Sequence, residues 1–311
     1  MKKGIILLII ANILWGGNYI CGRFLGPALP PNLLNTIRWA ISTVILFGIL
    51  LLNKKKIPIF AMWKEFLILG FFGIFGFSTL NYMGLRLISA SQAGMISAGT
   101  PVAILMFSFL LLKEHISFKS WLGTFISLAG VIILFLGKQG SGVASGSWIG
   151  GLETILAGWA WALYTVFGRK FGKNTDPLIM TAGAAFYGTL FSALSCIGTV
   201  RLDMIHMTGS AWLAVAYVST LASVGAFYAW NLGVKILGAS KAAPYLNLIP
   251  VCTVILGIFL LKEVISGISL LGGIITILGA ILATQRSSST SATVQAENSV
   301  NHVCSSSGVA E

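Results

Sequence analysis

The sequence predicts an all-α integral membrane protein with ten transmembrane helices, arranged as two inverted five-helix repeats. Three observations carry this: a shortage of charge, apolar runs of membrane-crossing length, and a long block that occurs twice. Of 311 residues, 9% are charged and 56% hydrophobic, whereas a soluble domain carries roughly a quarter charged residues. The apolar runs are roughly 18–22 residues long, enough to cross a hydrocarbon core of about 30 Å. They are continuous rather than alternating, which excludes a transmembrane β-barrel.

The repeat is most legible between Gly84 and Gly130. GLRLISAS at Gly84–Ser91 returns as GVKILGAS at Gly233–Ser240, Pro101 as Pro250, and LLKE at Leu111–Glu114 as LLKE at Leu260–Glu263. Ile116-Ser117 returns as Ile265-Ser266, and Gly123 and Gly130 as Gly272 and Gly279, all at one offset of 149 residues. A gapless match of that length means two copies of one module. Earlier helices repeat more faintly at offset 146: Trp15 with Trp161, Gly22-Arg23 with Gly168-Arg169, and Gly26 with Gly172. A three-residue difference therefore lies between Gly26 and Gly76. Gly22/Gly26 and Gly168/Gly172 have the small-xxx-small spacing of close helix packing.

Hydropathy breaks place the spans near 4–24, 33–52, 66–85, 91–112, 119–137, 148–168, 177–198, 210–231, 240–261 and 267–285. Turn chemistry marks the joints: Gly26-Pro27 with Pro30-Pro31, then Lys54–Pro58, then Gly137–Gly146. The first repeat is expected over 1–137, a linker over 138–147, the second repeat over 148–285, and a Ser-rich disordered tail over 286–311. The first span is too long for a signal peptide, lacks a small-residue cleavage site, and has a repeat partner near 148–168.

Lys and Arg set the orientation. With the N-terminus inside, 14 of these residues fall on the inner side and 6 on the outer. Both termini are thus expected in the cytoplasm of a cell whose inner or plasma membrane holds the chain. The net charge of +12 is mostly this topological bias, so no nucleic-acid partner is implied. Five helices per copy is an odd number, so the second copy enters from the opposite side. Inverted repeats are the architecture of carriers, whose two halves exchange conformations around a mid-membrane site.

The chain resembles the drug/metabolite transporter superfamily, in its ten-helix EamA branch. Trp15-Gly16, Arg38 in TIRWAIS, the GLRLISAS/GVKILGAS entries, Pro101 and Pro250, and LLKE closing the fourth and ninth helices carry the resemblance over about residues 4–285. It implies a transporter of small organic metabolites, often an exporter of amino acids or related compounds; nucleosides, S-adenosyl compounds, amines and drugs are the alternatives.

Lys113-Glu114 and Lys262-Glu263 end equivalent helices and read as charges that fix depth and pair locally, with gating as the functional alternative. Pro101 and Pro250 are expected mid-helix, where each kinks the chain and frees a carbonyl, at Ser97 and Leu246. Features found in one copy only are better functional candidates. Arg38, with its counterpart near Gly183, and Glu153, with counterpart Leu7, are charges inside spans, and such charges persist only if paired, watered or used. Either they pair with each other, or Arg38 holds a substrate carboxylate and Glu153 is a proton-coupling site.

Amides and aromatics form helical faces: Asn12, Trp15, Asn18 and Tyr19; Ser78, Asn81 and Tyr82; Trp159, Trp161 and Tyr164; Tyr217, Thr220, Tyr228 and Asn231; Tyr245 and Asn247. An amide in hydrocarbon must find a partner or a wet cavity. The candidate substrate-binding set is Trp15, Asn18, Tyr19, Arg38, Asn81, Tyr82, Trp161, Tyr164, Tyr228, Asn231, Tyr245 and Asn247, which suits a small amphipathic zwitterion. Mismatched positions inside the repeated block, Gln92 opposite Lys241, Ile96 opposite Tyr245 and Ala98 opposite Asn247, belong to the same expectation.

No phosphate-binding glycine loop, HExxH or CxxC occurs, and Cys21, Cys196, Cys252 and Cys304 are scattered. No cofactor, metal site, disulfide or catalytic residue is expected. An intramembrane enzyme would need carboxylates, His or Arg clustered at mid-depth, and a non-transporting receptor would tolerate loss of Arg38. The expected partners are a small-molecule substrate, the bilayer and protons; the expected state is a monomer or homodimer.

Overall fold

The computed structural model describes residues 2–88, 93, 96–136, 148–201, 205–261 and 266–284. The expected linker, the tail, Gln92 and Lys262-Glu263 lie outside them. All described secondary structure is helical: α1 (Lys2–Leu25), α2 (Pro31–Leu52), α3 (Trp63–Leu87), α4 (Thr100–Leu112), α5 (Phe118–Leu136), α6 (Trp148–Phe171), α7 (Pro177–Cys196), α8 (Gly209–Leu237), α9 (239–261) and α10 (Gly267–Thr284). Helices α1, α2, α3, α7 and α8 hold stretches long and apolar enough to cross a membrane, and shorter apolar helices run through α4, α5 and α10. Val44, Leu51, Leu52, Phe118 and Leu213 stand exposed on the outside, an apolar surface that hydrocarbon, not water, would cover. Below, the terminal face is the one where α1 begins and α10 ends; the other is the far face.

Proline and cap chemistry fix the helix starts. Pro31 and Pro177, 146 residues apart, open α2 and α7, where the missing N–H has no intrahelical partner to lose. Asp176 caps α7 by accepting the Leu178 N–H at 2.9 Å. Pro101 does not sit mid-helix as expected, whereas Pro250 lies in the middle of α9, where the helix changes type. Pro101 lies in the first turn of α4, and Pro250 three residues into the regular α-helical part of α9, just after a 3-10 segment at Ala243–Asn247. The ring is tolerated there because the first turn needs no N–H.

The two halves pack symmetrically. The α3–α6 contact is mirrored by α8–α1, and α4–α6 by α9–α1, while α2 meets its counterpart α7 and α5 meets α10. Residues on the pseudo-two-fold axis touch their own repeat partners. The Thr43 and Thr189 hydroxyls, 146 apart, lie 3.3 Å from each other. Ser127 Oγ donates to the Thr276 carbonyl, 149 away, at 3.1 Å. Thr43 still follows offset 146 and Gly76 offset 149, so the length difference falls in or beside the second loop of the repeat, and the partner of Arg38 is Ala184. The repeated glycines lie where α5 crosses α10: a Cβ on Gly123 would run into the Ala283 backbone, and one on Gly279 into Ser127.

Both third helices carry a π-helical segment, Gly70–Gly76 in α3 and Thr220–Gly225 in α8. Widened turns of this kind bend the carbonyl ladder and offer oxygens to neighbours. The Ile74 carbonyl accepts Asn35 Nδ2, and the Ala222 carbonyl accepts Trp15 Nε1, each at 3.0 Å.

Candidate functional site

Two clefts open toward opposite faces, and they are repeat images of each other. The far-face cleft is lined by Gly22, Gly26, Pro27, Leu29, Pro31, Leu34, Tyr82, Leu85 and Arg86. The terminal-face slot is lined by Leu69, Tyr164, Gly168, Arg169, Gly172, Pro177, Met180, Asn231, Val234 and Lys235. Seven of the nine cleft residues have their repeat partner in the slot: Gly22/Gly168, Gly26/Gly172, Pro31/Pro177 and Leu34/Met180 at offset 146, then Tyr82/Asn231, Leu85/Val234 and Arg86/Lys235 at offset 149. Counted out to the open face, the cleft holds about 890 Å³ of free space and the slot about 370 Å³. One half of the molecule is spread where the other is drawn together.

Beneath the cleft lies Arg38, one turn below Leu34 and 2% exposed. Its Nε donates to Ser223 Oγ at 2.6 Å and its Nη1 to the Tyr82 hydroxyl at 2.9 Å, while its guanidinium carbon lies 5.2 Å from the Trp39 ring centroid. Tyr82 in turn donates to Asn18 Oδ1 at 3.4 Å. A buried guanidinium held only by neutral hydroxyls retains an unanswered positive charge. Among the described residues no carboxylate lies within 4.0 Å of it. The expected Arg38–Glu153 bridge is therefore not made. α2 packs on α3, α7 and α8, and α6 is not among its principal neighbours. Glu153 Oε2 is buried without a hydrogen-bond partner.

The slot has the mirror arrangement with the residue types exchanged. Asn231 Nδ2 donates to the Tyr164 hydroxyl at 2.7 Å and to Thr181 Oγ1 at 2.9 Å. Tyr164 is the repeat partner of Asn18, and Asn231 that of Tyr82. Each half thus builds one tyrosine–asparagine pair between its first and third helices' positions, but only the far half adds an arginine.

Between the two pairs stands an aromatic block. Trp15 and Trp161 meet edge to face at 5.0 Å, and Phe227, Trp230 and Tyr164 close around them within 5.9 Å, centroid to centroid. Of the candidate set, Trp15, Asn18, Arg38, Tyr82, Trp161, Tyr164 and Asn231 come together along this path. Tyr19 stays near it, with its hydroxyl against Ser97. Asn81 is buried beside Tyr82, and Tyr245 is buried in the main core cluster. Asn247 is drawn away to α5, where it donates to Ser127 Oγ at 3.2 Å, and Tyr228 is 37% exposed. Ser223, Asn35, Thr181, Trp230 and Lys235 were not in the expected set. Ser223 and the acceptor carbonyls depend on the π-segments, which no residue pattern marks; Thr181 is the repeat partner of Asn35 and Lys235 that of Arg86, and neither of those partners was in the set.

Residues 2–136 and 148–285 both match the EamA-like transporter family. The chain belongs to that family. As an EamA-family chain it is similar to the uncharacterized transporter YyaM of Bacillus subtilis, 27% identical over 89% of this chain and 92% of that one. It is also similar to an uncharacterized transporter of Archaeoglobus fulgidus, 24% identical over 92% and 98% of the two chains. The aromatic amino acid exporter YddG of Ancylobacter novellus is 28% identical over 76% of this chain and 83% of its own. A crystal structure at 23% identity superposes with a TM-score of 0.78 over 91% of this chain and 97% of the other, so the two share a fold. The protein is thus a multi-pass membrane transporter of small molecules.

Proposed function

We propose that this transporter exports amino acids or closely related small zwitterions across the cell membrane by alternating access, without ATP. The supporting observation is the pair of clefts, repeat images of one another, one wide and one tight, at the two ends of a single polar and aromatic path. A carrier that rocks two inverted halves around a fixed site needs this arrangement. The halves are 1–137 and 148–285, and the terminal face is cytoplasmic, in keeping with the Lys and Arg bias.

In this reading Arg38 holds the substrate carboxylate when it displaces the Tyr82 hydroxyl, Asn18 and Asn231 take the amine, and the Trp15–Trp161 block receives the side chain. A bidentate guanidinium–carboxylate contact is among the strongest a neutral path can offer. Glu153 carries the coupled proton, and no step requires catalysis. Transport by purified protein in liposomes tests this: a panel of amino acids, nucleosides and amines is offered with and without a pH gradient. Amino-acid flux that the gradient drives in the native chain but not in Glu153→Gln supports the reading; flux confined to nucleosides or amines overturns the substrate class.

A further inference from the structure

The slot on the terminal face is held shut by three sets of contacts, and the repeat image of one of them, Lys235 on the Thr175 carbonyl, is unmade on the far face. Lys235 Nζ donates to the Thr175 carbonyl at 2.7 Å, and Arg169 Nη1 donates to the Lys235 carbonyl at 2.5 Å. Glu114, which closes the LLKE motif, accepts from Ser240 Oγ at 2.6 Å and the Ser240 N–H at 3.3 Å, with Arg169 Nε 4.0 Å from its other oxygen. These contacts tie the end of α6, the α6–α7 turn, the end of α8 and the start of α9 into one seam. The Lys235 carbonyl is among the last of α8, which lack internal partners and lie at the negative pole of the helix, so the Arg169 cation beside it is favoured; the Thr175 carbonyl lies in the α6–α7 turn.

Lys235 corresponds to Arg86 at offset 149, and Thr175 to Leu29 at offset 146. Both acceptors follow the first helix of their repeat: Leu29 sits after the turn that ends α1, Thr175 after the turn that ends α6. Yet Arg86 is exposed in the open cleft, and the structure gives it no bond to Leu29. We propose that Lys235 and Arg86 are alternating bolts of one carrier. Lys235 on the Thr175 carbonyl closes the terminal face in this state, and Arg86 on the Leu29 carbonyl closes the far face in the opposite state. The pairing follows from symmetry: rocking that widens the slot until it matches the cleft must narrow the cleft until it matches the slot. The inference rests on the alternating-access reading and assigns gating to residues that reading leaves idle.

Accessibility of single cysteines to a membrane-impermeant maleimide tests the bolts without any substrate. In a background with the native cysteines replaced and elution matching the native chain, Leu85→Cys reports the cleft and its repeat partner Val234→Cys reports the slot. Leu85→Cys is expected to label from the far face and Val234→Cys to be protected. Adding Lys235→Met should raise Val234→Cys labelling and lower Leu85→Cys labelling together, by about tenfold, the factor carried by one hydrogen bond to a charged group. Adding Arg86→Met to that variant should return both toward their first values. Glu114→Gln, which weakens the same seam, should shift both rates in the same direction and decides the matter if Lys235→Met does not fold. Unchanged rates overturn the proposal, and so does a rise at Val234→Cys with Leu85→Cys unmoved, which marks a local clamp. Reciprocal switching without flux in liposomes would keep the bolts and defeat the transport reading; flux without switching would do the reverse.

Discussion

Trp15 and Trp161 are the same position in the two repeats, and their indoles meet edge to face at 5.0 Å. A residue can touch its own repeat image only on the pseudo-two-fold axis, so this contact marks the centre of the bundle. Trp15 is further held by its hydrogen bond to the Ala222 carbonyl in the π-segment of α8.

Truncating either ring should open a large void. Trp15→Ala and Trp161→Ala are each expected to cost about 3–5 kcal/mol, read as a lowered midpoint in thermal unfolding in detergent. Because the two rings fill one space, the double variant should lose less than the sum. Strict additivity would place the indoles in independent sites.

Arg38 should govern affinity rather than assembly of the seam. Arg38→Met removes the donors to Ser223 and Tyr82 and is expected to weaken amino-acid binding by about 10–100-fold, the worth of a hydrogen bond to a charge. Arg38→Lys should recover only part, since an ammonium cannot serve both partners with a planar fork. Isothermal titration with the amino acids of the proposed substrate class checks both.

The α5–α10 crossing should reject any added side chain. Gly130→Val and its repeat partner Gly279→Val place atoms against the backbone of Thr276 and Ser127, and the helices must separate, with loss of the Ser127–Thr276 bond. Overpacking of this kind costs about 1–3 kcal/mol or more. A lowered melting midpoint in both variants, equal within error, would reflect the symmetry of the crossing.

Lys55 binds the Asp176 carboxylate on the terminal face, joining the α2–α3 loop to the cap of α7. Burial alone would raise the Asp176 carboxyl, but the bonds from Lys55 and the Leu178 N–H, with the charges of Lys55 and Lys235, hold it below the usual carboxylate range. Lys55 is correspondingly held above the usual lysine range by its hydrogen bond to Asp176. A depressed carboxylate stabilises the fold above its ordinary value, about 4, and that stability is lost as pH falls through the folded value. A raised lysine stabilises below its ordinary value, about 10.4, and loses this as pH rises through its folded value. The native chain should therefore melt above Asp176→Asn across the neutral range, with the gap closing below about pH 4. A gap that stays constant down to pH 3 would contradict the assignment.

Much of this protein was legible before any coordinate. Low charge and long apolar runs dictate helices that cross a bilayer, because backbone groups in hydrocarbon must bond within their own segment. A constant offset between duplicated residues, with five helices per copy, dictates inverted halves. The positions of Trp15, Trp161, Tyr82 and Asn231 could be singled out because amides and aromatics inside apolar runs are conspicuous. What sequence alone could not supply was mutual orientation. Arg38 and Glu153 looked like partners since both lie at similar depth, but depth is one coordinate and pairing needs three; α2 packs on α8, so Arg38 meets Ser223 instead. Pro101 looked like a mid-helix kink since the apolar run continues through it, whereas the backbone turns at Ala98–Gly99 and a new helix starts at Thr100. The π-segments, and with them the acceptors of Trp15 and Asn35, arise from packing against neighbouring helices and have no local signature. Composition and repetition are properties of the chain and determined the architecture. Which cleft is wide and which is tight depends on contacts between distant segments, and only the packed structure decided it.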